Sequence, residues 1–264
     1  RDVQQKYEPT LDGKGPTRTP SMTGKVDITD MFDGEAKSNP KGTWYRELCG
    51  VLRWIEQCTR PDISTTLSEL CKVQINPGPD HIKRMDHLLR YVFATAHLGL
   101  LYGGPTHSGA NAILIGHVDS DWAGDVNTKY SRGGWIMSAW QTPVSWSSCK
   151  MKAVAASSCE AEYMAASEIV RECLWLRYLF SDLGYGDLSC QNFGTLCEED
   201  FVKVQLSELV DKNEKPITCF GDNKGAIAIS YNPVLHKRTK HIHVRYHLTR
   251  HEVDKGHVVF GYIN

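Results

Sequence analysis

The sequence predicts an α+β protein, a mixed five-stranded sheet with flanking helices preceded by a small helical module. Two observations predict it. From residue 43 to about 104 apolar residues recur every three or four positions, the period of amphipathic helices, whereas beyond residue 105 short apolar runs of β-like composition alternate with helical stretches. The order of that second part is three strands, a helix, a strand, two helices and a strand, which implies a mixed sheet with helices packed on it. A chain of 264 residues, 41% hydrophobic and 23% charged, is long enough to bury cores of this kind.

Taken in order, residues 1–39 are rich in Gly, Pro, Thr, Asp and Lys without apolar periodicity, so a flexible arm or linker is expected. Residues 40–104 form the helical module. Trp44, Leu48, Leu52 and Ile55 make the stripe of a first helix; Thr59-Arg60-Pro61-Asp62 starts a second, whose stripe is Ile63, Leu67, Leu70 and Val73. Asn76-Pro77-Gly78-Pro79 ends it, because proline lacks the N–H and disfavours helix in its predecessor. Ile82, Met85, Leu89 and Val92 mark a third helix.

Residues 105–264 form the second domain. Strands are expected over 112–118, 134–137 and 143–146, with turn-rich spacers. Ser157-Ser158-Cys159-Glu160 has capping-box spacing and opens a long helix reaching about Asp182. Residues 186–215 are a polar excursion with a short helix over 201–209. A fourth strand over 217–220, helices over 223–229 and 239–254, and a last strand over 257–262 complete the chain.

Lys+Arg 30 against Asp+Glu 31 leaves a net charge of -1, so any nucleic-acid contact must be local rather than driven by a whole-chain positive field. No run of about 18 uncharged apolar residues occurs, and the start Arg1-Asp2-Val3-Gln4-Gln5-Lys6 is polar, so neither a membrane span nor a signal peptide is expected; the chain reads as a fragment of something longer. Nine Cys without a CxxC pair read as reduced core thiols of an intracellular protein.

Three acids stand where this architecture would gather them. Asp119 ends the first strand and Asp222 follows the fourth; if those strands are parallel neighbours, both emerge at one sheet edge, where ligands bind in open α/β sheets. Glu162 heads the stripe Ala166, Ile169, Cys173, Leu176 and Phe180, an odd place for a glutamate, whereas Glu160 reads as the capping-box acid. Each has a plainer reading: Asp119 as a turn acid, Asp222 as a helix cap, Glu162 turned to solvent. Together they imply a cation, because gathered carboxylates raise one another's pKa unless neutralised. Oxygen-only ligands suit Mg²⁺ or Mn²⁺, and a pair of such ions can drive phosphoryl displacement.

The runs Val118-Asp119-Ser120-Asp121-Trp122-Ala123-Gly124-Asp125, Ser145-Trp146-Ser147-Ser148, Ser157-Ser158-Cys159-Glu160-Ala161-Glu162-Tyr163-Met164-Ala165-Ala166 and Asp222-Asn223-Lys224-Gly225-Ala226 resemble the ribonuclease H domain of copia-type retrotransposon Pol polyproteins. So does Asn232-Pro233-Val234-Leu235-His236-Lys237-Arg238-Thr239-Lys240-His241-Ile242 with Val244-Arg245-Tyr246-His247. Upstream, Cys58-Thr59-Arg60-Pro61-Asp62-Ile63, Asn76-Pro77-Gly78-Pro79 and Leu88-Leu89-Arg90-Tyr91-Val92 resemble the segment joining that family's reverse transcriptase to its ribonuclease H, a thumb or connection-like module. The resemblance implies a ribonuclease H-like fold and cleavage of the RNA strand of RNA–DNA hybrids with Mg²⁺ or Mn²⁺. It assigns Asp119, Glu162 and Asp222 as metal ligands and catalytic residues. It further implies hybrid and the upstream reverse transcriptase as partners, no membrane, and a location in cytoplasmic virus-like particles or the nucleus.

Two departures bear on activity. The family continues past the last strand into a helix with a fourth metal-binding acid, whereas this sequence ends at Gly261-Tyr262-Ile263-Asn264; and His243 stands where the family has Asp. A second reading is therefore a catalytically inactive remnant that binds nucleic acid or protein through the same surface. Residues 186–215 are longer than the family's link. His243, His247 and His251 share a helix face that reads as solvated rather than as a zinc site. Arg238, Lys240 and Arg245 are candidate phosphate contacts among Lys237 and Arg250. Trp122, Trp135, Trp140 and Trp146 read as packing residues rather than base-stacking platforms.

Overall fold

The computed structural model describes residues 2–7, 14–102, 114–125, 127–184, 216–231 and 245–263, with only the backbone described for 2–4, 245 and 246. The chain divides into two compact units, residues 1–100 and 101–264. Among the described residues no helix is long and apolar enough to cross a membrane.

The first unit holds α1 (Asp2–Tyr7), α2 (Gly42–Thr59), α3 (Ser64–Leu70) and α4 (Pro79–Ala94), with single 3-10 turns at Ala36–Ser38, Pro61–Ile63 and Cys71–Val73. Its core is built from the stripes read in the sequence: Leu48 and Leu52 of α2, Ile63 and Leu67 around α3, Met85 and Leu89 of α4 are all fully buried. Tyr45 joins them and donates its hydroxyl to the Leu70 carbonyl at 3.0 Å. Residues 14–40, where no periodicity exists, are tied to α4 by polar bonds. Met31 bridges Pro77, the Asp80 amide donates to the Asp30 carboxylate at 2.9 Å, and His81 lies between the Gly78 amide (3.0 Å to Nδ1) and the Asp27 carbonyl (2.7 Å to Nε2).

Pro61 ends α2, and the residues on either side of it make a network. The buried Arg60 guanidinium donates two bonds to Asp62 (2.9 and 2.7 Å) and reaches the Thr95 carbonyl and hydroxyl, while Tyr91 donates to Asp62 at 2.8 Å. Burial alone would raise the Asp62 carboxyl, but the bonds from Arg60 and Tyr91 outweigh it and hold the pKa below its usual value. A depressed carboxyl pKa stabilises the fold above the unfolded value of about 3.9 and loses that contribution as pH falls through the folded one. Arg60→Ala is expected to destabilise the helical unit by about 2–3 kcal/mol, by stripping charged hydrogen bonds from a partly buried acid. Urea unfolding of the full chain at pH 7 and pH 3 checks it: the deficit seen at pH 7 should shrink at pH 3.

The second unit holds β1 (Leu114–Asp121), β2 (Arg132–Ala139), β3 (Thr142–Lys150), α5 (Ser158–Asp182), β4 (Ile217–Gly221), α6 (Lys224–Tyr231), α7 (Arg245–Asp254) and β5 (Val258–Tyr262). The sheet order is β3-β2-β1-β4-β5, with β1 antiparallel to β2, β2 to β3, and β1, β4 and β5 mutually parallel. It is an α+β fold of the ribonuclease H-like kind, a five-stranded mixed sheet with flanking helices. α5 packs on β1 and β2 through Ala166, Ile169, Cys173, Leu176 and Phe180, all buried. Gly116 of β1 makes that approach close: a Cβ there would stand 2.7 Å from Ile169 Cδ1, 2.8 Å from Cys219 Sγ and 2.9 Å from Met137 Sδ. Trp140 packs on Phe180, ring centroids 5.7 Å apart, and Trp135 lies against the core.

Among the described residues the expected strands and helices are present, with shifted bounds. β1 does not stop at Asp119 but runs on to Asp121, because Ser120 and Asp121 still pair with Gly133 and Arg132 of β2. The excursion over 186–215, and residues 239–244 of the expected last helix, lie outside the described residues.

Candidate metal centre

The parallel register of β1 on β4 sets His117 beside Phe220, so two residues further along each strand Asp119 and Asp222 come level. Asp119 lies within β1 opposite Gly134 of β2, and Asp222 directly follows β4. Both are exposed. The capping of α6 is done by Asn223, whose Oδ1 accepts from the Ala226 amide at 3.0 Å, so the plainer reading of Asp222 as a cap does not hold.

The third acid comes from α5. Ser157, extended at φ -152, caps the helix by accepting from the Glu160 amide at 3.2 Å, and Glu160 reaches back to accept from the Ala156 amide at 2.7 Å. That fixes the first turn, and Glu162 then faces the sheet with 8% of its surface exposed. One oxygen from each of Asp119, Glu162 and Asp222 lies within 4.8 Å of the others. Among the described residues these three form the group of His, Cys, Asp and Glu side chains that could hold a metal ion.

The electrostatics follow from the burial. Desolvation pushes the Glu162 carboxyl up to about 7; hydrogen bonds from Ser120 pull against it, and the charges of Asp119 and Asp222 add to the rise. A dication at the centre would offset both unfavourable contributions. The donors fit one: all are carboxylate oxygens, as Mg²⁺ and Mn²⁺ require, with no thiolate or imidazole among them.

Ser120 escaped the sequence reading. Its amide is shared between Asp119 Oδ1 (2.7 Å) and Glu162 Oε1 (3.1 Å), and its hydroxyl donates to Glu162 Oε1 at 2.7 Å. Its one sequence signal is adjacency to Asp119. Trp122, half exposed, is anchored by its indole N–H to the Ala155 carbonyl at 3.1 Å, joining the turn after β1 to the loop that enters α5.

Arg238 and Lys240 lie outside the described residues, as does His243; Arg245 opens α7 with only its backbone described. On α7, His247 and His251 are exposed while Thr249 and Val253 are buried. Among the described residues all seven cysteines are free: Cys49, Cys58, Cys71, Cys149, Cys159, Cys173 and Cys219.

Fold and centre define an α+β domain presenting a three-carboxylate, oxygen-only site at a sheet edge. Comparison with known proteins places it further. The Pol polyprotein of the Nicotiana tabacum transposon TNT 1-94 is 32% identical over 220 residues, 83% of this chain and 14% of that protein. Two Pol polyproteins of Arabidopsis thaliana transposons are similar too: that of RE1 is 31% identical over 247 residues and that of RE2 33% over 245, each alignment covering 90% of this chain and 15% of the relative. The chain belongs to the family of copia-type retrotransposon Pol polyproteins and spans about one seventh of the length of these three relatives. No protein-family model matches it, and no solved structure does.

Proposed function

We propose that the second unit is a ribonuclease H domain, cleaving the RNA strand of RNA–DNA hybrids with divalent ions held by Asp119, Glu162 and Asp222. The observation that carries this reading is the convergence of three carboxylates from two parallel strand ends and one helix start within 4.8 Å. Kinship with Pol polyproteins, which are named for retrovirus-related transposons, supports it.

Bound Mg²⁺ or Mn²⁺ would supply Lewis acidity toward the phosphate and a water activated at neutral pH. The chain's own residues supply the placement. Asp119 and Asp222, being exposed, face incoming backbone, while Glu162 closes the centre from below. Arg238, Lys240 and Arg245 contribute local phosphate contacts, which a net charge of -1 requires to be local. Recognition of the RNA strand rests on its 2′-hydroxyls. The first unit acts as the connection-like module between this domain and the polymerase portion of the polyprotein.

The test is cleavage of an end-labelled RNA–DNA hybrid by the full chain, with and without Mg²⁺. Scission of the RNA strand that EDTA abolishes, with duplex DNA spared, is expected; no scission in Mg²⁺ or Mn²⁺ overturns the reading.

A further inference from the structure

Resting on the reading of the three acids as an ion centre, we propose that Ser120 is a positioning residue that binds Asp119 and Glu162 into one preorganised ligand set. Two of the three acids come from elements with no covalent reason to meet, strand β1 and helix α5, forty-three residues apart. Ser120 spans them with every donor it has: its amide is shared between Asp119 Oδ1 and Glu162 Oε1, and its hydroxyl gives a second bond to Glu162 Oε1 at 2.7 Å. Both bonds to Glu162 fall on one oxygen, which fixes the rotation of the carboxylate as well as its place.

The alternation of β1 explains how the residue comes to lie there. Leu114, Gly116 and Val118 turn inward to the core, so Ser120 takes the next inward position, level with the first turn of α5, where the apolar pattern gives way to a hydroxyl. The β2 partner of Ser120 is Gly133, which carries no side chain to compete for that space. Among the described bonds to Glu162 side-chain oxygens, Ser120 supplies both. Without the hydroxyl the buried carboxylate keeps only the longer, shared amide bond, and the charges of Asp119 and Asp222 then push it out of register.

Titration of the full chain with Mn²⁺, read by electron paramagnetic resonance, together with steady-state hybrid cleavage tests this. Ser120→Ala is expected to weaken Mn²⁺ binding roughly tenfold, the worth of one hydrogen bond to a charged group, and to lower kcat while leaving KM for the hybrid unchanged. Ser120→Thr keeps the hydroxyl in a residue suited to strands and is expected to bind Mn²⁺ within about twofold of the unaltered chain. Mn²⁺ affinity unchanged in Ser120→Ala but lost in Asp119→Asn overturns this assignment and leaves the ion centre standing. Equal weakening in Ser120→Thr and Ser120→Ala also overturns it, since a hydroxyl is then not what matters. An unaltered chain that binds no Mn²⁺ overturns the ion centre and the role of Ser120 with it.

Discussion

Asp119→Asn is expected to reduce Mg²⁺-dependent hybrid cleavage on the order of 10³-fold or more, because the lost ligand charge is worth several kcal/mol in the transition state. The same substitution should leave the metal-free fold as stable or more so. Asp119 is exposed, so no cavity forms, and one of three mutually repelling carboxylates becomes neutral. The sign comes from Glu162. Its carboxyl is held at about 7 in the fold against about 4.3 unfolded, so the folded state binds the extra proton and loses stability as pH rises between those values. Removing the Asp119 charge removes part of that loss. Thermal unfolding at pH 8 should therefore show a metal-free midpoint that does not fall and a smaller rise on adding Mg²⁺. A midpoint several degrees lower without metal would mark Asp119 as a structural residue instead.

Gly116→Ala is expected to destabilise the second unit by about 1–3 kcal/mol, the range for overpacking a filled core. A Cβ there meets three side chains at once, from α5, β4 and β2, each closer than 3.0 Å. Because Ile169 of α5 is the nearest, the packing that must give lies between the helix that carries Glu162 and the strand that carries Asp119. Mg²⁺ affinity should fall with stability, whereas in Asp119→Asn the two part company. Denaturant unfolding and Mn²⁺ titration of the same variant separate these outcomes.

The sequence allowed the second unit to be read where the physics is local or periodic. The stripe from Ala166 to Phe180 marked a helix face turned to the core, and the placing of Glu162 at its head made it an odd acid there; the structure buries that stripe and Glu162 with it. Ser157 and Glu160 announced the helix start by spacing alone, and they cap it. Where the register between strands decides, the reading fell short. Nothing in residues 112–118 shows that β1 continues to Asp121, since that depends on pairing with Gly133 and Arg132 across a turn. Ser120 was invisible for the same reason: its partner is a helix residue forty-two positions away.

Residues 14–40 illustrate a different limit. Hydrophobic periodicity detects apolar burial; Val26 and Ile28 do pack on the core, but side chains of α4 also hold these residues by bonding to their carbonyls. Arg84 reaches the Gly24 carbonyl, Arg90 that of Gly15, His87 that of Thr19 and His81 that of Asp27. Backbone carbonyls are the same in every residue, so such attachment leaves no compositional trace. The buried Tyr7, whose hydroxyl donates to Glu47 at 3.2 Å, is an anchor that no pattern announces.

The most direct measurement is anomalous diffraction from crystals of the chain grown with Mn²⁺, recorded at the manganese edge. The account predicts a peak bonded to a carboxylate oxygen from each of Asp119, Glu162 and Asp222, with Ser120 still donating to Glu162. Manganese bound elsewhere, or three carboxylates turned apart around ordinary solvent, would contradict it.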